Sequence, residues 1–241
     1  MSTHDIEPVA AIVVAAGSGS RLGADVPKAL VAIGGVPLVV LAADALLTGG
    51  ASRVVVVAPA AQRDDFLRLF AGRDEVRVVV GGAQRQDSVR QGLEAIGDAR
   101  FVLVHDAARP FVPARVVRRV VEALAAGARS VVPVVPVVDS VRAITDFGSA
   151  VIDRSTLRAV QTPQGFDAEL LRRAHAHVAE QGLAVTDDAS ACEALGEATV
   201  LVEGSRESLK ITEPFDLVVA ESLAAARQTD SGPAGDGRAD A

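Results

Sequence analysis

The sequence predicts an α/β fold with helices on both faces of a doubly wound, mostly parallel sheet. Short valine-rich runs alternate along the chain with longer stretches of helical periodicity, as expected of a buried parallel sheet covered by helices. A glycine-rich loop directly follows the first valine-rich run, which is typical of Rossmann-like domains. The length of 241 residues allows one large domain or two small ones, and one hydrophobic core is the simpler interpretation.

The positions of the individual elements follow from the same pattern. Six apolar runs are predicted as strands, at 9–16, 53–58, 76–80, 101–105, 130–135 and 199–203. Seven periodic stretches are predicted as helices, at 37–47, 61–70, 87–96, 113–126, 167–181, 187–195 and 214–227. Prolines suit the first helical turn at Pro37, Pro113 and Pro214. Acidic residues suit N-caps at Asp87, Asp167 and Asp187.

The segment 137–160 interrupts the alternation of strands and helices. Its alternating apolar positions surround Asp146-Phe147-Gly148-Ser149, which predicts a β-hairpin. A hairpin that projects from a doubly wound domain has little to pack on, so we expect it to pack on another subunit. We predict one domain at 6–227 that includes this arm, followed by a disordered tail at 228–241.

Composition excludes several classes of partner. The 24 basic and 31 acidic residues give a net charge of −7, which disfavours binding to nucleic acid or to an anionic membrane surface. No apolar run reaches the roughly 18 residues that a transmembrane helix needs. The single cysteine, Cys192, excludes an intramolecular disulfide and a cysteine-based zinc cluster, and we expect a cytoplasmic location.

The loop at 15–23, AAGSGSRLG, is the strongest local signal for a ligand. Glycines after a buried strand allow backbone N–H groups to converge on a phosphate. The loop lacks the sixth-position glycine of the dinucleotide fingerprint and the Gly-Lys-Ser/Thr of a Walker A loop. It can hold a triphosphate, with Arg21 and Lys28 supplying positive charge. The alternative is a tight turn that carries two exposed basic side chains.

The number and positions of the lysines also indicate a ligand site beside the glycine-rich loop. The chain has 22 arginines but only two lysines, Lys28 and Lys210. An ammonium group is compact, whereas a guanidinium is planar, so each lysine can mark a position where arginine does not serve. Lys28 lies beside the glycine-rich loop, and Lys210 lies just before the last predicted helix.

Two further loops carry polar residues at strand ends. Asp106 follows the strand at 101–105, where a carboxylate can bind Mg²⁺ or substrate, and Arg109 can receive a second anion. The alternative for Asp106 is a turn cap, and His105 is interpreted as an oriented packing residue and not as a catalytic base. The loop at 81–88 has two equal interpretations. It can form hydrogen bonds with a nucleobase, or it can be the capped start of a helix. Two histidines, at 175 and 177, are interpreted as surface residues.

Taken together, these motifs resemble the 2-C-methyl-D-erythritol 4-phosphate cytidylyltransferase family. The match runs in order from about residue 9 to residue 221. The glycine-rich loop alone would indicate only the wider sugar-nucleotidyltransferase superfamily. The later motifs are more specific: Asp87-Ser88, residues 105–110, Asp153-Arg154, residues 161–164, residues 186–190 and residues 210–212.

The resemblance implies transfer of a cytidylyl group from CTP to methylerythritol phosphate, with release of diphosphate and a requirement for Mg²⁺. This reaction belongs to the non-mevalonate route to isoprenoid precursors. A cytidylyltransferase for another polyol phosphate, such as ribitol 5-phosphate, is the alternative within the same class. A nucleotide-binding regulator without catalysis is the alternative from another class, and the retained basic residues speak against it.

The resemblance also implies roles for individual residues. Arg21 and Lys28 would neutralise charge on the α-phosphate, whereas Arg154 and Lys210 would orient the attacking substrate phosphate. The implied CTP-binding residues are Ala15, Ala16, Gly17, Gly19, Gly82, Asp87 and Ser88. The implied substrate-binding residues are Asp106, Arg109, Ser140 and Thr162.

The resemblance further implies that Asp106 holds Mg²⁺ and that the hairpin arm exchanges between the subunits of a homodimer. Arg154 and Ser140 would then complete the partner's site. Two positions depart from the family pattern. Ser140 replaces the usual threonine and keeps its hydroxyl, whereas Ala83 replaces a frequent aspartate and removes one contact to the base.

Overall fold

The computed structural model describes residues 8–17 and 26–230. Most of its strands form one eight-stranded sheet, and two two-stranded sheets lie beside it. The strands are, in chain order, β1 (Val9–Val14), β2 (Ala32–Ile33), β3 (Val36–Pro37), β4 (Arg53–Ala58), β5 (Val76–Val80), β6 (Phe101–Asp106), β7 (Ser130–Pro136), β8 (Val141–Thr145), β9 (Gly148–Ile152), β10 (Arg158–Val160), β11 (Gln164–Asp167) and β12 (Val200–Glu203).

Seven α-helices connect these strands within the described ranges. They are α1 (Leu38–Thr48), α2 (Arg63–Leu69), α3 (Arg85–Ala95), α4 (Ala114–Ala125), α5 (Ala168–Gln181), α6 (Asp188–Glu193) and α7 (Pro214–Asp230). The six predicted strands and seven predicted helices are all present, with ends that differ by a few residues. The described helices include none that is long and apolar enough to cross a membrane.

The main sheet confirms the predicted doubly wound, mostly parallel fold. Its order is β10-β7-β11-β6-β1-β4-β5, and β12 pairs with β7. Parallel pairs join β1 to β4, β1 to β6, β4 to β5 and β7 to β12. Two strands that the sequence pattern did not predict, β10 and β11, run antiparallel to their neighbours.

Alternate residues of each strand face the two layers of helices, as the two-residue period of a strand requires. Val9, Ala11 and Val13 of β1 pack in one core cluster with residues of α1, α2 and α4. Ala10 and Ile12 pack in a second cluster with residues of α3, α5 and α6. The valine-rich runs are therefore buried on both faces, and the sheet separates two hydrophobic layers.

Pro37 and Pro113, predicted in a first helical turn, lie one position earlier, as the N-caps of α1 and α4. The predicted acidic N-caps are present, with one correction. The side chains of Asp167 and Asp187 accept hydrogen bonds from the first turns of α5 and α6. Asp87 was predicted as an N-cap, but α3 begins earlier and Gln84 is its N-cap. Asp87 instead occupies the third helical position, where its carboxylate accepts a bond from the Gln84 N–H at 3.2 Å and forms a capping box.

The hairpin arm consists of β8 and β9, which pair antiparallel from Val141↔Ile152 to Thr145↔Gly148. Gly148, with φ 132°, follows the Asp146-Phe147 turn. Residues 158–160, placed in the arm by the sequence pattern, form β10 and belong to the main sheet. At the other end of the chain, α7 continues to Asp230, three residues beyond its predicted end. The remaining tail residues, 231–241, lie outside the described residues.

Candidate active site

A crevice of about 510 Å³ opens where the carboxyl ends of β1 and β6 lie side by side. At this point the strand order reverses, because β4 and β5 follow on one side of β1 while β6 lies on the other. Such a switch point is where open α/β sheets bind ligands. The crevice is lined by residues from the β1 loop, the 3-10 helix Lys28–Leu30, the start of α3, the end of β6 and Lys210.

Eight of the residues predicted from the sequence line this crevice. They come from segments that are far apart in the chain and include both lysines: Ala15, Ala16, Gly17, Lys28, Gly82, Ser88, Asp106 and Lys210. The predicted residues Gly19 and Arg21 lie outside the described residues. The lysine pair that stood out in the composition therefore converges on one site.

Five other predicted residues do not line the crevice. Asp87 lies in the capping box of α3, and Thr162 and Arg109 lie behind Asp106, where they contact backbone groups. Ser140 and Arg154 are exposed next to the hairpin arm, where the Arg154 guanidinium donates to the Val138 carbonyl.

Close packing next to the crevice requires glycine at position 81. A Cβ at Gly81 would lie 2.7 Å from Ser88 Oγ and 2.8 Å from Ala16 Cβ. The absence of this atom allows the start of α3 to approach the β1 loop. Ser88 is buried, and its hydroxyl donates to the Gln84 carbonyl at 3.2 Å.

Asp106 is the electrostatic centre of the crevice. Lys210 Nζ lies 2.7 Å from Asp106 Oδ2, and Arg85 Nη2 lies 3.7 Å from Asp106 Oδ1. Burial alone would raise the pKa of Asp106, but the charges of Arg85 and Lys210 outweigh burial and lower the pKa to about 2. The carboxylate is therefore anionic at neutral pH and paired with cations on both oxygens.

Two buried side chains fix the backbone at Asp106. His105 Nε2 lies 3.0 Å from the Arg109 carbonyl, and its Nδ1 lies 2.9 Å from Thr162 Oγ1. Burial lowers the pKa of His105 to about 4, so the ring is neutral at pH 7. Since a carbonyl only accepts, Nε2 carries the proton, and the Thr162 hydroxyl donates to Nδ1. Thr162 Oγ1 also accepts the Asp106 N–H at 3.1 Å, so His105 and Asp106 share Thr162 as a hydrogen-bond partner.

Arg109 is held by backbone carbonyls. Its guanidinium donates to the Ser208 carbonyl at 2.7 Å and to the Val160 carbonyl at 3.3 Å. Burial lowers the pKa of Arg109, although Asp106 acts in the opposite direction. The Ser208 bond connects the end of β6 to the segment that carries Lys210, so Arg109 helps to place that lysine.

Sequence reasoning missed three residues next to the site: Arg85, Asp188 and His175. Arg85 Nη2 lies 2.7 Å from the buried Asp188 Oδ2, and Asp188 Oδ1 accepts from His175 Nε2 at 3.0 Å. The prediction that His175 is a surface residue was wrong, since only 3% of it is exposed. It shares the buried face of α5 with residues at helical spacing, a pattern that could have identified it: Leu171, Ala174 and Val178.

The side chains that could ligate a metal in the crevice limit how a divalent metal ion can bind. No group of three or more His, Cys, Asp or Glu side chains that could hold a metal occurs in the described ranges. Among the described residues that line the crevice, Asp106 is the one carboxylate. This set fits Mg²⁺, which commonly binds through one or two carboxylates together with substrate phosphates.

A second cavity, of about 610 Å³, lies between α1, α7 and the segment at 110–115. It is larger than the crevice, but its lining contains none of the predicted site residues. The crevice at the strand ends is therefore the candidate active site.

Comparisons with known proteins agree with the resemblance. The family model of 2-C-methyl-D-erythritol 4-phosphate cytidylyltransferase matches residues 9–225. The protein of that name from Nocardia farcinica is 49% identical over 218 residues, which cover 89% of this chain and 93% of the relative. The protein of that name from Rhodococcus jostii is 49% identical over 219 residues, which cover 90% of this chain and 95% of the relative.

Solved structures lead to the same family. The 2-C-methyl-D-erythritol 4-phosphate cytidylyltransferase of Thermus thermophilus is 39% identical, with a TM-score of 0.75 and coverage of 89% of this chain and 98% of that one. The 4-diphosphocytidyl-2C-methyl-D-erythritol synthase of Anaerococcus prevotii is 26% identical, with a TM-score of 0.81 and coverage of 92% and 97%. Since sequence and structure match along most of the chain, this protein belongs to the 2-C-methyl-D-erythritol 4-phosphate cytidylyltransferase family.

Proposed function

We propose that this chain transfers a cytidylyl group from CTP to the phosphate of 2-C-methyl-D-erythritol 4-phosphate and releases diphosphate. The observation that carries the proposal is the meeting of Lys28, Lys210 and Asp106 in one crevice, in a chain of this family. In the reaction, a substrate phosphate oxygen forms a bond to the α-phosphorus of CTP, and the bond to diphosphate breaks. The product serves isoprenoid precursor synthesis by the non-mevalonate route.

The chemistry explains why basic residues dominate the proposed catalytic set. The attacking phosphate is already an anion, so catalysis needs alignment and neutralisation of charge more than a general base. Lys28, with Arg21, neutralises charge that develops on the α-phosphate. Lys210 and Arg154 align the attacking phosphate. Lys210 has three N–H donors, so it can contact a phosphate while it remains paired with Asp106.

The nucleotide occupies the side of the crevice formed by the β1 loop and the start of α3. Backbone groups of Ala15, Ala16 and Gly17, with Gly19, hold the phosphates. The base lies near Gly82 and Ser88, beside Asp87. Methylerythritol phosphate lies on the other side, next to Asp106, with Arg109 and Thr162 behind it.

Mg²⁺ is the proposed cofactor, held by Asp106 and the phosphates of the nucleotide. When bound, the ion neutralises negative charge on those phosphates. Asp106 is suited to this role because its carboxylate remains anionic at neutral pH. Arg85 and Lys210 contact the same carboxylate, so they also set its orientation.

A homodimer with exchanged arms is part of the proposal. Ser140 and Arg154 lie outside the crevice of their own chain, and both flank the arm. The arm itself exposes Ile144, Phe147 and Val151, with 86%, 102% and 70% of each residue accessible. Apolar side chains at such exposure favour contact with a second copy. In that dimer, each arm brings Ser140 and Arg154 to the partner's crevice.

The direct test is diphosphate release by the purified protein with CTP, Mg²⁺ and methylerythritol phosphate. We expect turnover that depends on all three, and lower turnover with ribitol 5-phosphate. Faster turnover with ribitol 5-phosphate would assign the other polyol phosphate as substrate. CTP binding without diphosphate release, beside an active control enzyme, would favour a regulator that lacks catalysis.

A further inference from the structure

A row of polar and charged side chains connects the interior of the protein to Asp106. It begins at His175 on α5, passes through Asp188 at the start of α6 and ends at Arg85, the first residue of α3. The nitrogen-to-oxygen distances are 3.0 Å between His175 and Asp188, and 2.7 Å between Asp188 and Arg85. The same Arg85 nitrogen lies 3.7 Å from Asp106 Oδ1.

Asp188 is an unusual residue for its position, because its side chain is fully buried. A buried carboxylate without partners is strongly unfavourable, so its two partners are needed to keep it charged. Burial would raise the pKa of Asp188, but the hydrogen bond from His175 and the charge of Arg85 outweigh burial and lower it. Asp188 is therefore a fixed negative charge beneath the crevice.

Arg85 lies between this fixed charge and the crevice. One third of its side chain is exposed, and it lines the crevice with Asp106 and Lys210. Lys210 contacts Asp106 Oδ2, whereas Arg85 approaches Oδ1, so the carboxylate has a different cation on each oxygen. When Lys210 contacts the substrate phosphate as well as Asp106, Arg85 is the second cation that restrains the carboxylate.

We propose that Arg85 is a positioning residue that holds the Asp106 carboxylate in its working orientation, and that Asp188 and His175 hold Arg85. This inference rests on the proposed function, because the effect is read through cytidylyl transfer. It assigns an indirect role to three residues on separate helices. It also explains why a charged side chain is buried between α3, α5 and α6.

The main test compares Arg85→Gln with the wild-type protein in steady-state kinetics. We expect kcat to fall about 10-fold or more, as for residues that orient a ligand-binding side chain, while KM for CTP changes little. Arg85→Lys keeps the charge and should recover part of the loss. Arg129→Gln is a matched control, since it removes arginine ion pairs to Glu197, at 3.0 Å, and Asp167, at 3.8 Å, just before β7 and outside the crevice lining, and should leave kcat unchanged.

A double-mutant cycle tests the connection to Asp188. Asp188→Asn should lower kcat in the wild-type background but add little to Arg85→Gln, because both changes act through one residue. If Asp188→Asn does not fold, His175→Leu and His175→Gln replace it. Glutamine keeps an N–H donor for Asp188, so it should retain more activity than leucine, with thermal unfolding followed in parallel.

Three results would overturn the inference alone, given an active wild-type protein. The first is Arg85→Gln kinetics that equal those of the wild-type protein. The second is an Arg85→Gln variant with a raised KM for CTP and an unchanged kcat. The third is additive losses of kcat in the double-mutant cycle. The second result would mean that Arg85 contacts the nucleotide directly. A wild-type protein that releases no diphosphate would instead overturn the proposed function, and this inference with it.

Discussion

Single buried side chains determine how the catalytic crevice is shaped. Thr162 and His105 never face the crevice, yet they fix the backbone N–H and the ring beside Asp106. The neutral form of His105 is essential to this arrangement, because only an unprotonated Nδ1 can accept the hydrogen bond from the Thr162 hydroxyl. The protonation state of one buried histidine therefore affects the stability of the fold around the site.

This dependence predicts how stability changes with pH. The pKa of His105 is about 4 in the folded protein and 6.5 in its ordinary state. Between these values the unfolded chain binds a proton that the folded chain does not, so the free energy of unfolding decreases as pH falls. The loss attributable to His105 is about 2 kcal/mol between pH 7.5 and pH 5. Urea denaturation at the two pH values measures it.

His105→Gln provides the control, because an amide can donate to the Arg109 carbonyl and accept from Thr162 without titrating. Its free energy of unfolding should depend less on pH over the same interval, by about the amount given for His105. Equal pH dependence in the wild-type and variant proteins would show that His105 does not titrate in this window.

The candidate site was only partly accessible to sequence reasoning. Lys28 and Lys210 were identifiable because lysine is rare in this chain, and Asp106 because it ends a buried strand. Arg85 and Asp188 were not, since their contact depends on how α3 and α6 pack on the sheet. A pattern along the chain identifies residue types and faces, but it does not specify which faces meet.

The strands, too, were only partly predictable from the sequence. The parallel strands were predictable because burial on both faces requires continuous runs of valine, as in β4 and β7. β11 was not, because it contains Gln164 and Gly165 instead of a valine run. A Cβ at Gly165 would collide with Val120 of α4. The Gln164 side chain is buried, and its amide forms hydrogen bonds with α6 and with the N-cap of α6, Asp187. Tertiary contacts therefore explain this strand, whereas its own propensity does not.

The hairpin arm exposes apolar residues that the proposed homodimer would cover. Ile144→Ser should weaken the proposed homodimer about 10-fold or more, because it removes an apolar contact that the single chain leaves exposed. The fold of each chain should be unaffected. Sedimentation velocity over a dilution series measures the monomer–dimer equilibrium.

Phe215→Ser is the matched control, since Phe215 is also exposed, at 71%, but lies on α7 outside the arm. We expect its equilibrium to equal that of the wild-type protein. A wild-type chain that stays monomeric, or an Ile144→Ser variant that associates normally, would contradict the role given to the arm.

The whole molecule combines a negative net charge with a small cationic site. A net charge of −7 disfavours extended polyanions, yet Arg85, Arg109 and Lys210 surround one carboxylate, and Lys28 lines the same crevice. At short distances, the attraction of these cations for a bound phosphate exceeds the repulsion from the net charge of the chain. Salt screens that longer-range repulsion over about 10 Å. We therefore expect the molecule to bind a nucleoside triphosphate and a polyol phosphate in preference to nucleic acid.

The proposed assembly of this site from two chains gives the last prediction. Lys28→Ala and Arg154→Ala should each abolish nearly all turnover, because each removes a cation from the phosphates. In a mixed dimer with exchanged arms, one crevice has both changes and the other has neither. An equimolar mixture that exchanges subunits freely should therefore recover about a quarter of wild-type activity, since half of the dimers are mixed and each has one intact site. Diphosphate release measures the recovery, and a mixture no more active than its parents would contradict arm exchange.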